Sequence, residues 1–141
     1  MAATDLNTVR ETIEARINDE CRNVPPLPVV FQNMPYTPEM DASWIQCLVT
    51  FLDSEFLSHG GTTDSNNLIT GLVTINIFTK SGLGYGDSLT IGKRIRDLYN
   101  RINISGVYFD PPVGPSVITS PSPEGYFQTQ VRVTFETIEA L

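Results

Sequence analysis

The chain has 141 residues, nine Lys and Arg against sixteen Asp and Glu, a net charge of −7 and a hydrophobic share of 40%. That length suits one domain, spanning 1–141, with a real core. The acidic balance argues against gripping nucleic acid by neutralising phosphates, and no apolar run approaches a membrane span.

Asp5 to about Glu20 reads as an amphipathic helix. Leu6, Val9, Ile13 and Ile17 form a narrow apolar stripe, and Thr4 or Asp5 is placed to cap it. The N-terminal stretch carries charges throughout and lacks the apolar segment of a signal peptide. Val24-Pro25-Pro26-Leu27-Pro28 ends the helix, because proline lacks an N–H and disfavours helix in the residue before it. Val29–Phe31 is a short strand candidate. Asn33-Met34-Pro35-Tyr36-Thr37-Pro38 is extended and proline-punctuated, and reads as a surface segment.

Trp44–Phe51 predicts a strand with Ile45, Cys47, Val49 and Phe51 on one face. Leu52–Asn67 reads as a long loop carrying apolar Phe56 and Leu57. A loop of this length in a compact domain is usually functional or disordered. Leu68–Thr79 predicts a second strand, with Ile69, Val73, Ile75 and Ile77 on its core face. The Ser81–Gly86 turn has glycine at every second position, which permits a sharp reversal. A helix follows from Asp87 to Asn103, capped by Asp87 or Ser88, with Ile91, Ile95, Leu98 and Ile102 as its apolar stripe. Lys93, Arg94, Arg96 and Arg101 lie off the stripe, where solvent is expected. Val107–Phe109 is a short strand. Asp110–Glu124 holds five prolines and reads as irregular, with an edge strand at Ser116–Thr119. Tyr126–Ile138 alternates cleanly and predicts a long antiparallel strand. The expected architecture is α+β, a mostly antiparallel mixed sheet with two helices packed on one face.

Chemistry-bearing patterns are few. Gly82-x-Gly84-x-Gly86 lacks both the dinucleotide spacing and the trailing Lys-Ser/Thr of a phosphate loop, and Asp87 puts a negative charge where a phosphate would sit. His59 is the only histidine, and it reads as a solvated loop residue near Asp53, Glu55 and Asp64. Cys21 and Cys47 read as reduced, buried thiols. No catalytic residue, metal site or cofactor is expected, and the protein reads as no enzyme.

Four stretches carry a resemblance: Val9–Ile17, Phe31–Pro38 leading into Trp44, Thr70–Thr79 with the Gly84-Tyr85-Gly86 turn and its helix, and Gly125–Gln128 opening the last strand. In order and spacing the chain resembles the bacteriophage tail-terminator family, the small proteins related to the lambda tail terminator. The resemblance implies a structural protein of the virion tail or neck, assembled in the host cytoplasm as a homohexameric ring. Such a ring caps the head-proximal end of the tail tube, stops its polymerisation and joins the tail to a head-completion or neck protein. DNA passes through the lumen without specific binding. The expected partners are therefore other copies of the chain, the tail-tube protein and the neck protein. Candidate interface residues are Asn33, Pro35, Tyr36, Phe56, Leu57 and His59. Candidate lumen-facing acids are Asp53, Glu55 and Asp64. Two alternatives stand beside this reading: another neck or head-completion connector, and a small ligand-binding domain that uses the Gly82–Gly86 turn.

Overall fold

The computed structural model describes residues 5–23, 26–34, 42–58, 60–61, 65–82, 84–119 and 125–140. The sequence motifs become helix α1 (Leu6–Cys21), strands β1 (Val29–Phe31), β2 (Trp44–Phe56) and β3 (Asn66–Lys80), helix α2 (Gly86–Tyr99), and strands β4 (Asn103–Ile104), β5 (Val107–Phe109), β6 (Val113–Val117) and β7 (Tyr126–Ala140). The described strands form one sheet in the order β1-β2-β3-β7-β5-β4, with β6 pairing β7. Only β1 runs parallel to its neighbour. The fold is α+β.

Alternation decides which sheet face is buried. Ile45, Cys47 and Val49 of β2, Val73, Ile75 and Ile77 of β3, and Val131, Val133 and Phe135 of β7 form the core with both helices. Helix α1 contributes Val9, Ile13, Ile17 and Cys21, one residue every fourth position. Its N-cap is Asp5, whose Oδ1 accepts from the Asn7 N–H at 2.9 Å. Leu6, expected on the stripe, is 43% exposed in the first turn. The two helices are tied by the Arg16 Nε donating to the Leu98 carbonyl at 2.7 Å and by the Tyr99 hydroxyl donating to the Ile13 carbonyl at 2.7 Å.

Helix α2 departs from its expected form. It stops at Tyr99, because Asn100 is extended and Arg101 adopts a left-handed φ of 56°. The chain then enters β4. No side chain caps its start. Ser88 is buried and shares a hydrogen bond with Thr79 at 3.1 Å. The most deeply buried face is Ser88, Gly92, Ile95 and Tyr99; the expected Ile91 and Leu98 sit half-buried at its margin, and Ile102, also half-buried, lies beyond the helix end. The physical reason is closeness: Gly92 lies so tightly against Pro115 of β6 that a Cβ there would overlap the proline ring. The edge strand of the proline-rich segment begins three residues earlier than expected, at Val113.

Among the described residues no helix covers the sheet's second face. Trp44 stacks on Phe78 at 4.1 Å and meets the edge of Tyr126, forming a small apolar cluster with Val30. Beside it an amide ladder crosses three strands. Asn76 donates to Gln46 at 3.1 Å and accepts from Gln128 and Gln130 at 3.2 and 2.9 Å. These bonds satisfy polar groups that would be costly to bury alone.

Candidate functional site

The expected loop Leu52–Asn67 is strand at both its ends. β2 continues to Phe56 and β3 begins at Asn66. The β3–β7 register runs unbroken from Asn66↔Ala140 to Lys80↔Tyr126, so β7 gives the polar start of β3 a backbone partner. A bulge between Phe51 and Asp53 carries β2 past the end of its apolar pattern. Beyond it β2, β3 and β7 form an arm, flanked by β5 as far as Thr137. Both faces of β2 are exposed there, so no alternation marks the segment as strand.

The register sorts the side chains of this arm. Asp53 lies across from Thr70, which lies across from Glu136. Glu55 pairs with Leu68 and hence with Ile138. Directly opposed residues share a face, so Asp53, Glu55 and Glu136 group on the helix-free side. The other side presents Phe56, Asn67 and Glu139, with Asn67 Nδ2 donating to Glu139 Oε1 at 2.9 Å. Leu52, Phe56 and Leu57 are 58%, 77% and 49% exposed. The structure thus brings together Asp53, Glu55, Phe56 and Leu57 of the expected site and adds Leu52, Glu136 and Glu139. Glu136 and Glu139 were legible as outward or terminal positions of the last strand. Only strand register places them beside the residues from the middle of the chain.

Asn33 stands apart. It adopts a φ of 62° in the turn after β1, and its neighbour Gln32 accepts a bond from the Val49 N–H at 3.3 Å. From Val49 to Phe56 is roughly 20 Å of strand, so Asn33 is not part of the arm tip. Pro35, Tyr36, His59 and Asp64 lie outside the described residues.

The outer edge of β2 is shielded. β1 covers only Ile45 to Cys47. Beyond that, Gln32 occupies the Val49 N–H and the Asp53 carboxylate accepts from the Ser54 N–H at 2.9 Å. A bulge, acidic side chains and occupied donors discourage uncontrolled strand pairing.

A second surface lies where α2 starts beside β6. Gly82 and Gly84 have φ values of 91° and 87°, and a Cβ on either would meet nothing within 4 Å. Their role is to reverse the chain. Tyr85 then donates from its hydroxyl to the Pro115 carbonyl at 3.3 Å and meets Phe127 edge-on at 5.8 Å. Leu89, one turn on, and Val117 of β6 are 44% and 47% exposed. The basic residues expected in solvent divide here. Lys93 is exposed and pairs with Asp97 at 2.5 Å. Arg94 instead bonds Glu20 at 3.0 Å, and Arg96 donates to the carbonyls of Pro112 and Gly114 at 2.6 and 2.8 Å. Both are tethers between elements, which the helical pattern alone cannot reveal.

Among the described residues no group of three or more His, Cys, Asp or Glu is placed to hold a metal. Burial raises the thiols of Cys21 and Cys47 to about 11 and about 12, and both are unbonded. A thiol held neutral is a poor nucleophile.

No family model matches the chain, and no curated protein matches it. One similar solved structure, whose name is a bare sequence identifier, aligns over 95% of this chain and 96% of its own, with a TM-score of 0.71 and 16% identity. At that identity the likeness is one of fold.

Proposed function

We propose that this protein is a structural assembly subunit of the tail-terminator type, forming a ring that caps the head-proximal end of a phage tail tube and joins it to the neck. The observation that carries the reading is the arm, an acidic continuation of the sheet with exposed Leu52, Phe56 and Leu57. Grouped exposed apolar residues rimmed by charge are characteristic of protein contact surfaces. A ring subunit needs a heterologous interface, with one patch meeting a different patch on its neighbour. The sequence stretches that resemble tail terminators give the partner its identity, namely the tube end and the neck. The acids Asp53, Glu55 and Glu136 share one sheet face and suit a lumen along which DNA slides without sticking. The proposed activity is non-enzymatic, and the proposed location is the virion tail or neck.

The test is light scattering and negative-stain imaging of the protein alone and with purified tail tubes. A six-membered ring, or a cap on one tube end, is the expected result. Binding to portal ends in place of tube ends would move the protein to another neck position. A monomer that ignores both would overturn the reading.

A further inference from the structure

Among the described residues, most exposed large apolar side chains fall into two groups at opposite edges of the sheet. One is the arm, with Leu52 at the bulge and Phe56 and Leu57 at the tip, at the distal end of β2. The other is Tyr85 and Leu89 of α2 with Val117 of β6, on the far side of β7. We infer that the arm tip of one copy docks on the α2–β6 surface of the next copy. The inference rests on the ring reading and names its contact.

Three observations select a second copy as the occupant. First, the two surfaces differ and lie on opposite sides of one subunit, as a head-to-tail contact requires and a two-fold contact does not. Second, their charges are complementary. The arm face that carries Phe56 also carries Glu139, and the described arm residues of β2, β3 and β7 beyond the bulge include no Lys or Arg. Helix α2 carries Lys93, Arg94 and Arg96 against Asp87 and Asp97, and of these cations Lys93 pairs with Asp97 and Arg94 with Glu20. Arg96 spends its described bonds on carbonyl oxygens, which leaves its positive charge unneutralised. Third, the receiving surface is braced. Gly92 packs on Pro115, Tyr85 reaches the Pro115 carbonyl and Arg96 clamps Pro112 and Gly114. A surface already ordered loses less side-chain entropy on binding. By β3 register the arm tip stands at Asn67, whereas Val117 stands level with Ile77 through Thr129. Neighbouring copies are therefore staggered along the strands, which inclines the strands to the ring axis.

The experiment uses two variants of the full chain: a tip variant, Phe56→Asp with Leu57→Asp, and a surface variant, Leu89→Glu with Val117→Glu. Each is examined under whichever condition the wild type assembles, alone or on tube ends. Each variant by itself is expected to stay monomeric. An equimolar mixture is expected to yield a one-to-one dimer and stop there, because one intact tip meets one intact surface and the remaining halves are both defective. Circular dichroism and thermal unfolding check that both variants fold, and the milder Phe56→Ala and Leu89→Ala each weaken assembly about tenfold. Rings from either charged variant alone, or a mixture that remains monomeric, would overturn this contact while leaving the ring reading intact. A wild type that never assembles, with or without tubes, overturns both.

Discussion

Single residues show how closely this sheet is built. Gly71 lies between Phe51 and Phe135 in the register, and a Cβ there would overlap the Cζ end of the Phe135 ring. Phe135 is fully buried and meets Phe51 edge-on at 5.9 Å. Gly71→Ala should therefore lower stability by roughly 1–3 kcal/mol through overpacking, measured by urea unfolding, and Phe135→Leu should recover part of the loss. Gly84→Ala meets open space but keeps a left-handed φ, so it should cost about 1 kcal/mol. If the turn also bound a ligand, that substitution would weaken ligand affinity in addition to this stability cost. Cys47 reports on the core. Burial moves its pKa from an ordinary 9.0 to about 12. Above pH 9 the unfolded chain loses this proton while the folded chain keeps it. The stabilisation is complete below pH 9 and is lost as pH rises towards 12. Burial raises Tyr99 as well, and its contribution falls in the same direction. The midpoint of thermal unfolding should fall between pH 8 and 11, less steeply in Cys47→Val.

Elements gain their stability from neighbours that are remote in sequence. β6 contains Val113-Gly114-Pro115-Ser116-Val117, a poor strand by propensity. It is held on one side by β7 and on the other by α2 through Arg96 and Tyr85. Arg96→Met preserves the aliphatic stem and removes the donors. It should speed amide exchange in residues 113–117 relative to the β3–β7 core, and unchanged protection would show that β7 alone fixes β6. The arm is the opposite case. β3 and β7 pair over fifteen residues, so the arm is a continuation of the central sheet. Its backbone amides should be protected in the free subunit up to Asn66 and Ala140, as a mobile loop's would not be.

At the scale of the whole molecule, charge and layering set what the protein can meet. The net charge of −7 opposes phosphate contacts, so duplex DNA should not be retained at physiological salt. A measurable complex under those conditions would argue against DNA passing freely along the acidic face. Both helices lie on one side of the sheet, leaving the other side to the amide ladder, the Trp44 cluster and the acids of the arm.

Local pattern was enough for the core strands, the parity of Ile45, Val73, Ile75 and Val133, the Asp5-capped first helix and the α+β class, because burial on one face imposes a period that any reader of the chain can see. It was not enough where burial ends or where contacts are long-range. The stretch from Leu52 to Phe56 is strand because β3 and β7 extend a ladder to it. Both its faces meet water, so the residues themselves carry no period. Ser88 and Gly92 form the deep face of α2 because small side chains admit close packing, whereas apolar spacing pointed to Ile91 and Leu98. Arg94 and Arg96 are tethers because Glu20 and the β6 carbonyls arrive from elsewhere in the chain. Periodicity is a property of neighbouring residues, and the sequence by itself determined what depends on it. Strand register and helix docking join residues tens of positions apart, and only the tertiary structure decided which of them meet.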